Sequence, residues 1–246
     1  MTRLPGLSLL LPAYNEEANI ADAVGAAVAL LPRFTDDLEV TVVDDGSADR
    51  TGAIVDAIAA SDPRVHVVHH RPNRGYGGAL RSGFAASTKP YLLLTDSDLQ
   101  FDLADLDRLL SRLDRAEVVI GYREKRADPA KRRFIAWVYN RIINVLFLAP
   151  FRDVDCAFKL FRRDVFERVP LSRVRSDGAF FSPELLLVLR SAGVRIAQVP
   201  VRHFPRRAGE EKGATLRVVV RAMRDLLRLR LRLWLRRPAL DDEQQP

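Results

Sequence analysis

The sequence predicts an α/β fold built on a doubly wound, mostly parallel sheet with helices on both faces. Its 246 residues, 48% of them hydrophobic, can fill the core of one large α/β domain or two small ones. In the first half, short apolar runs alternate with segments whose apolar residues recur every three or four positions. Polar clusters follow these apolar runs, as expected where loops converge at the carboxyl ends of parallel strands.

Each predicted strand of the first half is a short apolar run that ends in polar turn residues. The five strands are Leu7–Leu11, Leu38–Val43, Val65–His69, Tyr91–Thr95 and Val118–Gly121. The intervening segments have helical spacing, so that each can pack one apolar face on the sheet. They are Asn19–Leu31, Thr51–Ala60, Gly77–Ser87 and Leu103–Leu113.

The second half begins with a basic loop from Arg123 to Arg133 and an amphipathic stretch at Phe134–Phe151. Further predicted elements are strands at Phe158–Phe161 and Val194–Val201 and a helix at Pro183–Ser191. The segment Leu216–Arg237 mixes Arg with Leu and Val, and an acidic polar tail follows it. Because the chain has no internal repeat and no Gly/Ser-rich linker, we expect one domain with a C-terminal extension.

Charge is distributed unevenly along the chain. Residues 1–121 hold 11 basic and 18 acidic residues, net −7, whereas residues 122–246 hold 28 basic and 14 acidic residues, net +14. The single cysteine, Cys156, cannot form an internal disulfide, so the cytosol is the expected compartment. No run reaches the roughly 18 apolar residues of a membrane-spanning helix, and no basic leader precedes an apolar run. Any membrane contact is therefore expected from the side.

Asp96 and Asp98 follow the apolar run Tyr91–Thr95 directly. If the extended geometry continues through them, both carboxylates project to the same side, with about 6–7 Å between their backbones. Two hard oxygen ligands at that spacing suit Mg²⁺ or Mn²⁺, especially a metal that also contacts the phosphates of a bound nucleotide. The alternative for this pair alone is a polar strand end that caps the next helix, and the neighbouring polar clusters favour the metal.

The segment Asp44-Asp45-Gly46-Ser47 has two interpretations. Asp, Gly and Ser all favour turns, and carboxylates at a strand end also accept hydrogen bonds from a nucleobase or ribose, as in dinucleotide-binding folds. Further along, Gly75, Gly77 and Gly78 would let the backbone approach a ligand closely at the start of a helix. Because glycine is common near helix starts, these positions support a ligand site without identifying it.

Missing motifs argue against several protein classes. The segment that follows the first strand, Pro12–Glu17, contains no glycine, which argues against a nicotinamide-dinucleotide fold. No G-x-x-x-x-G-K-[ST] motif is present, so a P-loop kinase or ATPase is not predicted. The four histidines and Cys156 form no zinc-binding pattern, and we expect His66, His69 and His70 to be strand or loop residues.

Seven motifs in order carry a family resemblance. The first four are P-A-Y-N-E-E at 12–17, D-D-G-S at 44–47, N-R-G-Y-G-G-A-L at 73–80 and D-S-D-L-Q at 96–100. The later ones are G-Y-R at 121–123, D-V-D-C-A-F-K at 153–159 and P-R-R-A-G-E-E-K at 205–212. Together, over residues 7–212, they resemble family-2 glycosyltransferases with the GT-A nucleotide-sugar fold. Within that family they are most similar to the polyprenyl-phosphate hexose synthases of the dolichyl-phosphate mannose or glucose type.

The resemblance implies a GT-A domain over residues 1–212, with a nucleotide-sugar-binding half at 1–121 and an acceptor-binding half at 122–212. A basic amphipathic helical extension and the acidic tail would then occupy 213–246. The implied activity is inverting transfer of a hexose from a GDP-mannose or UDP-glucose type of donor to a polyprenyl-phosphate carrier, assisted by Mg²⁺ or Mn²⁺.

The resemblance also implies three groups of site residues. The nucleotide pocket would include Pro12, Tyr14, Glu16, Asp44, Asp45 and Gly77. The metal and diphosphate site would comprise Asp96, Asp98 and Gln100, with Arg206 and Lys212 closing over the diphosphate. Arg123, Arg126, Arg132 and Arg133 would face the acceptor phosphate.

The chemistry expected of these residues depends on the acceptor. In either case a divalent ion on Asp96 and Asp98 would stabilise the negative charge that develops on the departing diphosphate. A lipid monophosphate is already an anionic nucleophile, so it needs the basic loop to hold it and no strong base. A hydroxyl of a glycan or a small soluble acceptor would need a general base, for which Asp153 or Asp155 is the candidate.

Phe134–Phe151 and Leu216–Arg237 are candidate membrane-surface segments, because basic amphipathic helices lie among anionic headgroups. Two alternatives stay open for the second segment: packing on its own domain, and contact with a membrane-embedded partner. The expected location is cytoplasmic, peripheral at the inner face of the cell membrane. A nucleic-acid binder is a remote rival, because the acidic first half would repel a polyanion. An inactive scaffold is disfavoured because the implied metal and diphosphate residues are all present.

Overall fold

The computed structural model describes residues 3–124, 127, 130–206, 208 and 223–231. Seven strands form one sheet within these residues. In chain order they are β1 (Leu7–Ala13), β2 (Leu38–Asp44), β3 (Val65–His69), β4 (Tyr91–Leu94), β5 (Val118–Arg123), β6 (Lys159–Arg162) and β7 (Ile196–Val201). Their order in space is β3-β2-β1-β4-β6-β5-β7, and the predicted mostly parallel sheet is confirmed.

Strand β6 is the exception to the parallel arrangement. β1 pairs in parallel with β2 and β4, β2 with β3, and β5 with β7, whereas β6 runs antiparallel to both β4 and β5. Lys159, the first residue of β6, therefore lies opposite Leu94 near the end of β4 and opposite Ile120 in β5. The segment that enters β6 thus reaches the same edge of the sheet as the polar clusters that follow β1, β2 and β4.

The helices cover both faces of the sheet, as predicted. They are α1 (Ile20–Leu30), α2 (Thr51–Ser61), α3 (Gly75–Ala86), α4 (Leu106–Leu110), α5 (Ala130–Phe147), α6 (Asp164–Arg168) and α7 (Phe181–Ser191). Alternate strand residues face opposite layers. Leu9 and Leu11 of β1 pack in a core with α1, α2 and α4. Leu10 packs in the other core with α3, α5 and α7.

The predicted helix at Leu103–Leu113 is wrong in its extent. A 3₁₀ turn occupies Leu103–Asp105, where the Asp102 carboxylate caps the Ala104 amide at 2.9 Å, and α4 ends at Leu110. Past that point the Arg112 and Leu113 amides donate to carbonyls three residues back. Such bonds tighten a helix end into turns, which apolar spacing alone does not reveal.

Part of the C-terminal extension packs on the domain. Residues 223–231 are helical, and within them Leu226 and Leu229 are buried in the same core as α7. Leu227 and Leu231 remain exposed. The predicted boundary at 212/213 and the acidic tail lie outside the described residues. None of the described helices is long and apolar enough to cross a membrane.

Candidate active site

Asp96 and Asp98 lie in a turn that follows β4. The strand ends at Leu94, residues 97 and 98 form a turn, and Leu99 has a φ of +61°. The extended path that we expected through both aspartates is therefore wrong. The turn is held against β1, because the Thr95 amide donates to the Leu10 carbonyl (3.2 Å) and the Ser97 hydroxyl donates to the Pro12 carbonyl (3.0 Å).

The two carboxylates interact nonetheless. Burial and the like charge of Asp96 raise the pKa of Asp98 to about 7, against the opposing effects of the Gln100 amide and Arg206. Burial also raises the pKa of Asp96, although the cationic Lys159 and Arg123 act in the other direction. The neighbouring cations therefore do not fully compensate the negative charge of the two carboxylates.

A divalent cation fits this donor set. Hard oxygen donors suit Mg²⁺ and Mn²⁺, and both ions commonly complete their coordination with water and substrate phosphate. In the described part of the chain, no group of three or more His, Cys, Asp or Glu side chains is placed to hold a metal. A cation on Asp96 and Asp98 would therefore need further oxygens. Gln100 uses its side-chain amide N–H to reach the Phe204 carbonyl at 3.1 Å, so its carbonyl oxygen remains as a hard donor.

Arg206 joins the Asp98 turn to the loop that follows β1. Its guanidinium lies 3.5 Å from Asp98 Oδ2, measured from Nη1, and Nη2 contacts Glu16. Asn19 in turn donates to Glu16 at 2.7 Å. Two of the predicted residues, Glu16 and Arg206, are thus brought together beside the carboxylate pair, whereas Lys212 lies outside the described residues.

Asp44 and Asp45 are both buried at the end of β2. Asp44 accepts from the Ser47 amide at 3.0 Å and pairs with His69 at 3.0 Å. Asp45 pairs with His70 at 2.6 Å. The turn expected from D-D-G-S is present, with Gly46 at a φ of +74°. The histidine partners were not anticipated from the sequence.

Two glycines in the first turn of α3 face protein backbone. A Cβ on Gly77 would lie 2.6 Å from the Ser176 carbonyl oxygen, and one on Gly75 would lie 2.7 Å from that of Asp177. The Gly77 amide donates to Asp177 at 2.8 Å. The expectation that these glycines admit a ligand is corrected, because the segment 176–177 already fills that space. Tyr14, in contrast, is exposed at the end of β1.

The side chains of Arg123 and Asp153 form a buried bidentate ion pair. Nε lies 2.7 Å from Oδ2 and Nη2 lies 2.8 Å from Oδ1. Burial opposes the charge of Arg123, yet the bonds and charge of Asp153 raise its pKa. Among the other predicted acceptor residues, Arg133 is exposed at the start of α5, and Arg126 and the Arg132 side chain lie outside the description.

Lys159 is a buried residue of the site that the sequence motifs did not single out. It is fully buried, and its ammonium group contacts the Cys156 carbonyl and lies 2.8 Å from the Ser182 hydroxyl. Burial lowers the pKa of Lys159, and nearby acidic groups, Asp155 and Asp96 among them, oppose that shift. The sequence offered one signal for this residue, because Lys159 follows an acidic motif directly and begins an apolar run. The charge of Lys159 in turn acts to lower the pKa of Asp96.

Comparisons with known proteins agree with this architecture. The model of the family described as Glycosyl transferase family 2 matches residues 8–169. The "Glycosyltransferase AglD" of Haloferax volcanii is 35% identical over 208 residues, which cover 81% of this chain and 33% of that protein. The chain thus spans about a third of the length of that relative. The "Polyprenol monophosphomannose synthase" of Mycolicibacterium smegmatis is 32% identical over 214 residues, covering 83% of this chain and 79% of that protein.

A solved structure shares the fold. Glucosyl-3-phosphoglycerate synthase from Mycobacterium tuberculosis, in complex with Mn²⁺, uridine diphosphate and glucosyl-3-phosphoglycerate, aligns with a TM-score of 0.68 at 22% identity. The alignment covers 93% of this chain and 79% of that chain. The GT-A fold expected from the sequence motifs is confirmed.

Proposed function

This chain belongs to glycosyl transferase family 2, and from that premise we propose that it transfers a hexose from a nucleoside-diphosphate sugar to a polyprenyl-phosphate carrier. The donor is of the GDP-mannose or UDP-glucose type, and the transfer inverts the configuration at the anomeric carbon. The observation that carries the proposal is the Asp96–Asp98 pair, half-buried at Asp96 and buried at Asp98, with Arg206 at its side, at the strand ends where nucleotide ligands bind. The name of the M. smegmatis relative supports the acceptor class.

The donor binds across the ends of β1, β2 and β4. Pro12, Tyr14, Glu16, Asp44 and Asp45 form the nucleotide pocket. Asp96, Asp98 and Gln100 hold Mg²⁺ or Mn²⁺, which when bound neutralises charge on the departing diphosphate. Arg206 already contacts Glu16 and Asp98, so a short movement of its guanidinium brings it to the diphosphate. Lys212 acts beside it.

The acceptor phosphate is held by Arg123, Arg126, Arg132 and Arg133. Asp153 fixes the Arg123 guanidinium in one orientation, because both of its carboxylate oxygens are bound to it. An aspartate that holds an arginine in this way is poorly placed to remove a proton from a hydroxyl. A phosphate monoester needs no such base, so the ion pair favours the lipid-phosphate acceptor.

The membrane contact is peripheral and involves α5. Phe134 and Trp137 are 65% and 63% exposed, and their rings stack with centroids 6.1 Å apart. Arg133 and Arg141 are exposed on the same helix. Aromatic side chains beside arginines suit the headgroup region of an anionic bilayer. We place this contact at the cytoplasmic face, and assign residues 213–246 to an extension of a catalytic domain at 1–212.

A transfer assay tests this function. The protein is incubated with radiolabelled GDP-mannose, UDP-glucose or UDP-N-acetylglucosamine, with Mg²⁺ or Mn²⁺ and with polyprenyl phosphate in detergent. We expect label from one donor to enter the organic phase only when both the metal and the lipid are present. Label that enters only water-soluble products would contradict the lipid acceptor. No transfer from any donor would contradict the whole proposal.

A further inference from the structure

Two consecutive histidines at the end of β3 contact the two consecutive aspartates at the end of β2. Asp44 and His69 are register partners in this parallel pair of strands. Because successive side chains along a strand point to opposite faces, the two histidines reach different helical layers. His69 contacts Asp56 of α2 at 2.9 Å, whereas His70 contacts Ser82 of α3 at 2.8 Å.

The His70 ring is held at both nitrogens. Nδ1 lies 2.6 Å from Asp45 Oδ1, and Nε2 lies 2.8 Å from Ser82 Oγ. An ionised carboxylate can only accept, so Nδ1 carries the hydrogen. In a neutral ring Nε2 then accepts from the Ser82 hydroxyl, and in a charged ring it donates to it. His70 and Asp45 are 2% and 4% exposed, so few other orientations are open to the ring.

The rest of Asp45 is also fixed. Its amide donates to the Ala13 carbonyl at 2.9 Å, and its own carbonyl accepts from the Asn73 side chain at 2.6 Å. The Arg74 amide donates to Oδ1 at 2.8 Å, the same oxygen that His70 contacts. Oδ2 takes part in none of these bonds. The protein thereby sets both the place of Asp45 and the direction of its second carboxylate oxygen.

We propose that His70 is a positioning residue of the donor site: anchored on Ser82, it fixes the Asp45 carboxylate so that Oδ2 is presented to the nucleobase. This inference rests on the proposed function, in which Asp45 belongs to the nucleotide pocket. His70 itself touches no reacting atom. An acceptor fixed in one direction selects bases that present an N–H group there and rejects bases that present a lone pair. His70 therefore controls base selectivity, and the diphosphate site is independent of it.

The test is calorimetric binding of UDP, GDP, CDP, ADP and inorganic pyrophosphate, each with Mn²⁺. In His70→Leu we expect the preferred nucleotide to bind at least about 10-fold more weakly, with the preference among bases largely lost and pyrophosphate affinity unchanged. His70→Asn places an amide N–H where Nδ1 stands and should restore most of the preference. Ser82→Ala should reduce the preference about 3-fold. His66→Leu, at an exposed position of the same strand, is the matched control.

Several outcomes would overturn the inference. A parallel loss for all four nucleotides and pyrophosphate would show that His70 only supports the fold. An unchanged base preference in both His70→Leu and Ser82→Ala would show that Asp45 needs no positioning. If His70→Leu does not fold, Ser82→Ala and His70→Asn decide the matter by the same criteria. Wild-type protein that binds none of the nucleotides would instead contradict the proposed function.

Discussion

The two halves of the sheet hold their charged side chains by different means. At the ends of β2 and β4, backbone N–H groups a few residues away donate to the carboxylates, as Ser47 does to Asp44 and Gln100 does to Asp98. From the end of β5 onward, Arg123 and Lys159 are held by side chains that are distant in sequence. Arg123 and Asp153 are 30 residues apart, and Lys159 reaches Ser182. Local turns therefore supply donors to the acidic half in addition to its histidine partners, whereas Arg123 and Lys159 of the basic half depend on distant side chains.

The difference follows from composition and topology. The first 121 residues are acidic overall, and the remainder is strongly basic. Carboxylates gathered at the ends of parallel strands repel one another, so they need donors that the turns supply. The antiparallel β6 then carries Lys159 into the same edge of the sheet. Arg206 joins the two halves directly, since it contacts Asp98 and Glu16.

The largest expected effect comes from Asp98→Asn, which removes a carboxylate from the acidic half. We expect transfer to fall about 1,000-fold, or about 4 kcal/mol of transition-state stabilisation, because one of two metal-binding carboxylates is lost. Calorimetry should also show that Mn²⁺ no longer strengthens donor binding. Asp114→Asn, at an exposed position, is the control. Parental turnover in Asp98→Asn would show that the acidic half does not carry the reaction.

The organisation of the acidic half could largely be predicted from the sequence. Each of its strands is a short apolar run, and its candidate site residues follow those runs directly. Because parallel strands end at one edge, their convergence follows from the topology. The turn at Asp98 and the histidine partners of Asp44 and Asp45 could not be predicted, since a positive φ at Leu99 and a cross-strand contact leave no periodic signal.

The basic half was predicted less well, for a physical reason. The pairing of Arg123 with Asp153 depends on the antiparallel insertion of β6. Apolar periodicity predicts that a segment is a strand, but it does not predict whether the strand runs parallel or antiparallel to its neighbours. In the sequence, Lys159 stood out only as the last residue of the D-V-D-C-A-F-K motif. Its burial depends on residues contributed by α7, such as Ser182, that are distant in sequence. The amphipathic character of α5, in contrast, was visible directly.

The second prediction concerns the Arg123–Asp153 pair and distinguishes its effect on folding stability from its effect on transfer activity. Arg123→Met leaves Asp153 buried without its partner guanidinium, which should lower the free energy of unfolding by about 3 kcal/mol. The double variant Arg123→Met/Asp153→Leu should recover most of that loss in urea unfolding, because no unpaired charge remains. Its transfer activity should stay low, since the acceptor phosphate has lost an arginine.

A matched control uses an ion pair on the surface. Arg162→Met disrupts the pair with Asp164, where both side chains are more than 40% exposed. This change should lower the free energy of unfolding by at most about 1 kcal/mol. Full activity in the double variant would contradict an acceptor role for Arg123, whereas equal losses in Arg123→Met and Arg162→Met would contradict the importance of burial.

A smaller effect is expected at the exposed aromatics of α5. Phe134→Ser/Trp137→Ser removes two side chains that are largely exposed, so the melting temperature should stay nearly constant. Sedimentation with vesicles of anionic phospholipid should show binding weakened about 10-fold, because each lost aromatic ring removes apolar contact with the bilayer. Val145→Ser, at another exposed apolar position of α5, is the control. Unchanged sedimentation of the double variant would assign membrane binding to other residues.

The smallest effect concerns pH and the local bonds of the acidic half. Asp56 and Asp44 raise the pKa of His69, with hydrogen bonds outweighing its partial burial. A histidine whose folded pKa exceeds the unfolded value of about 6.5 contributes stability below that pH and loses it as the pH rises through the folded pKa. His69→Asn should therefore reduce stability to urea at about pH 5.5, with a smaller difference at about pH 8.5. His66→Asn, exposed on the same strand, should show no such trend.

Asp44 does not change the expected pH dependence of the His69 variant, although the pKa of Asp44 is shifted in the opposite direction. Burial favours its neutral form, but bonds from Ser47 and His69 lower its pKa below the ordinary value. Its contribution is therefore complete above about pH 4 and is lost only as the pH falls further. The interval from pH 5.5 to 8.5 isolates the histidine. A His69→Asn difference that grows with pH across this interval would mean that His69 is neutral in the folded protein and that its two carboxylate neighbours do not hold a proton on the ring.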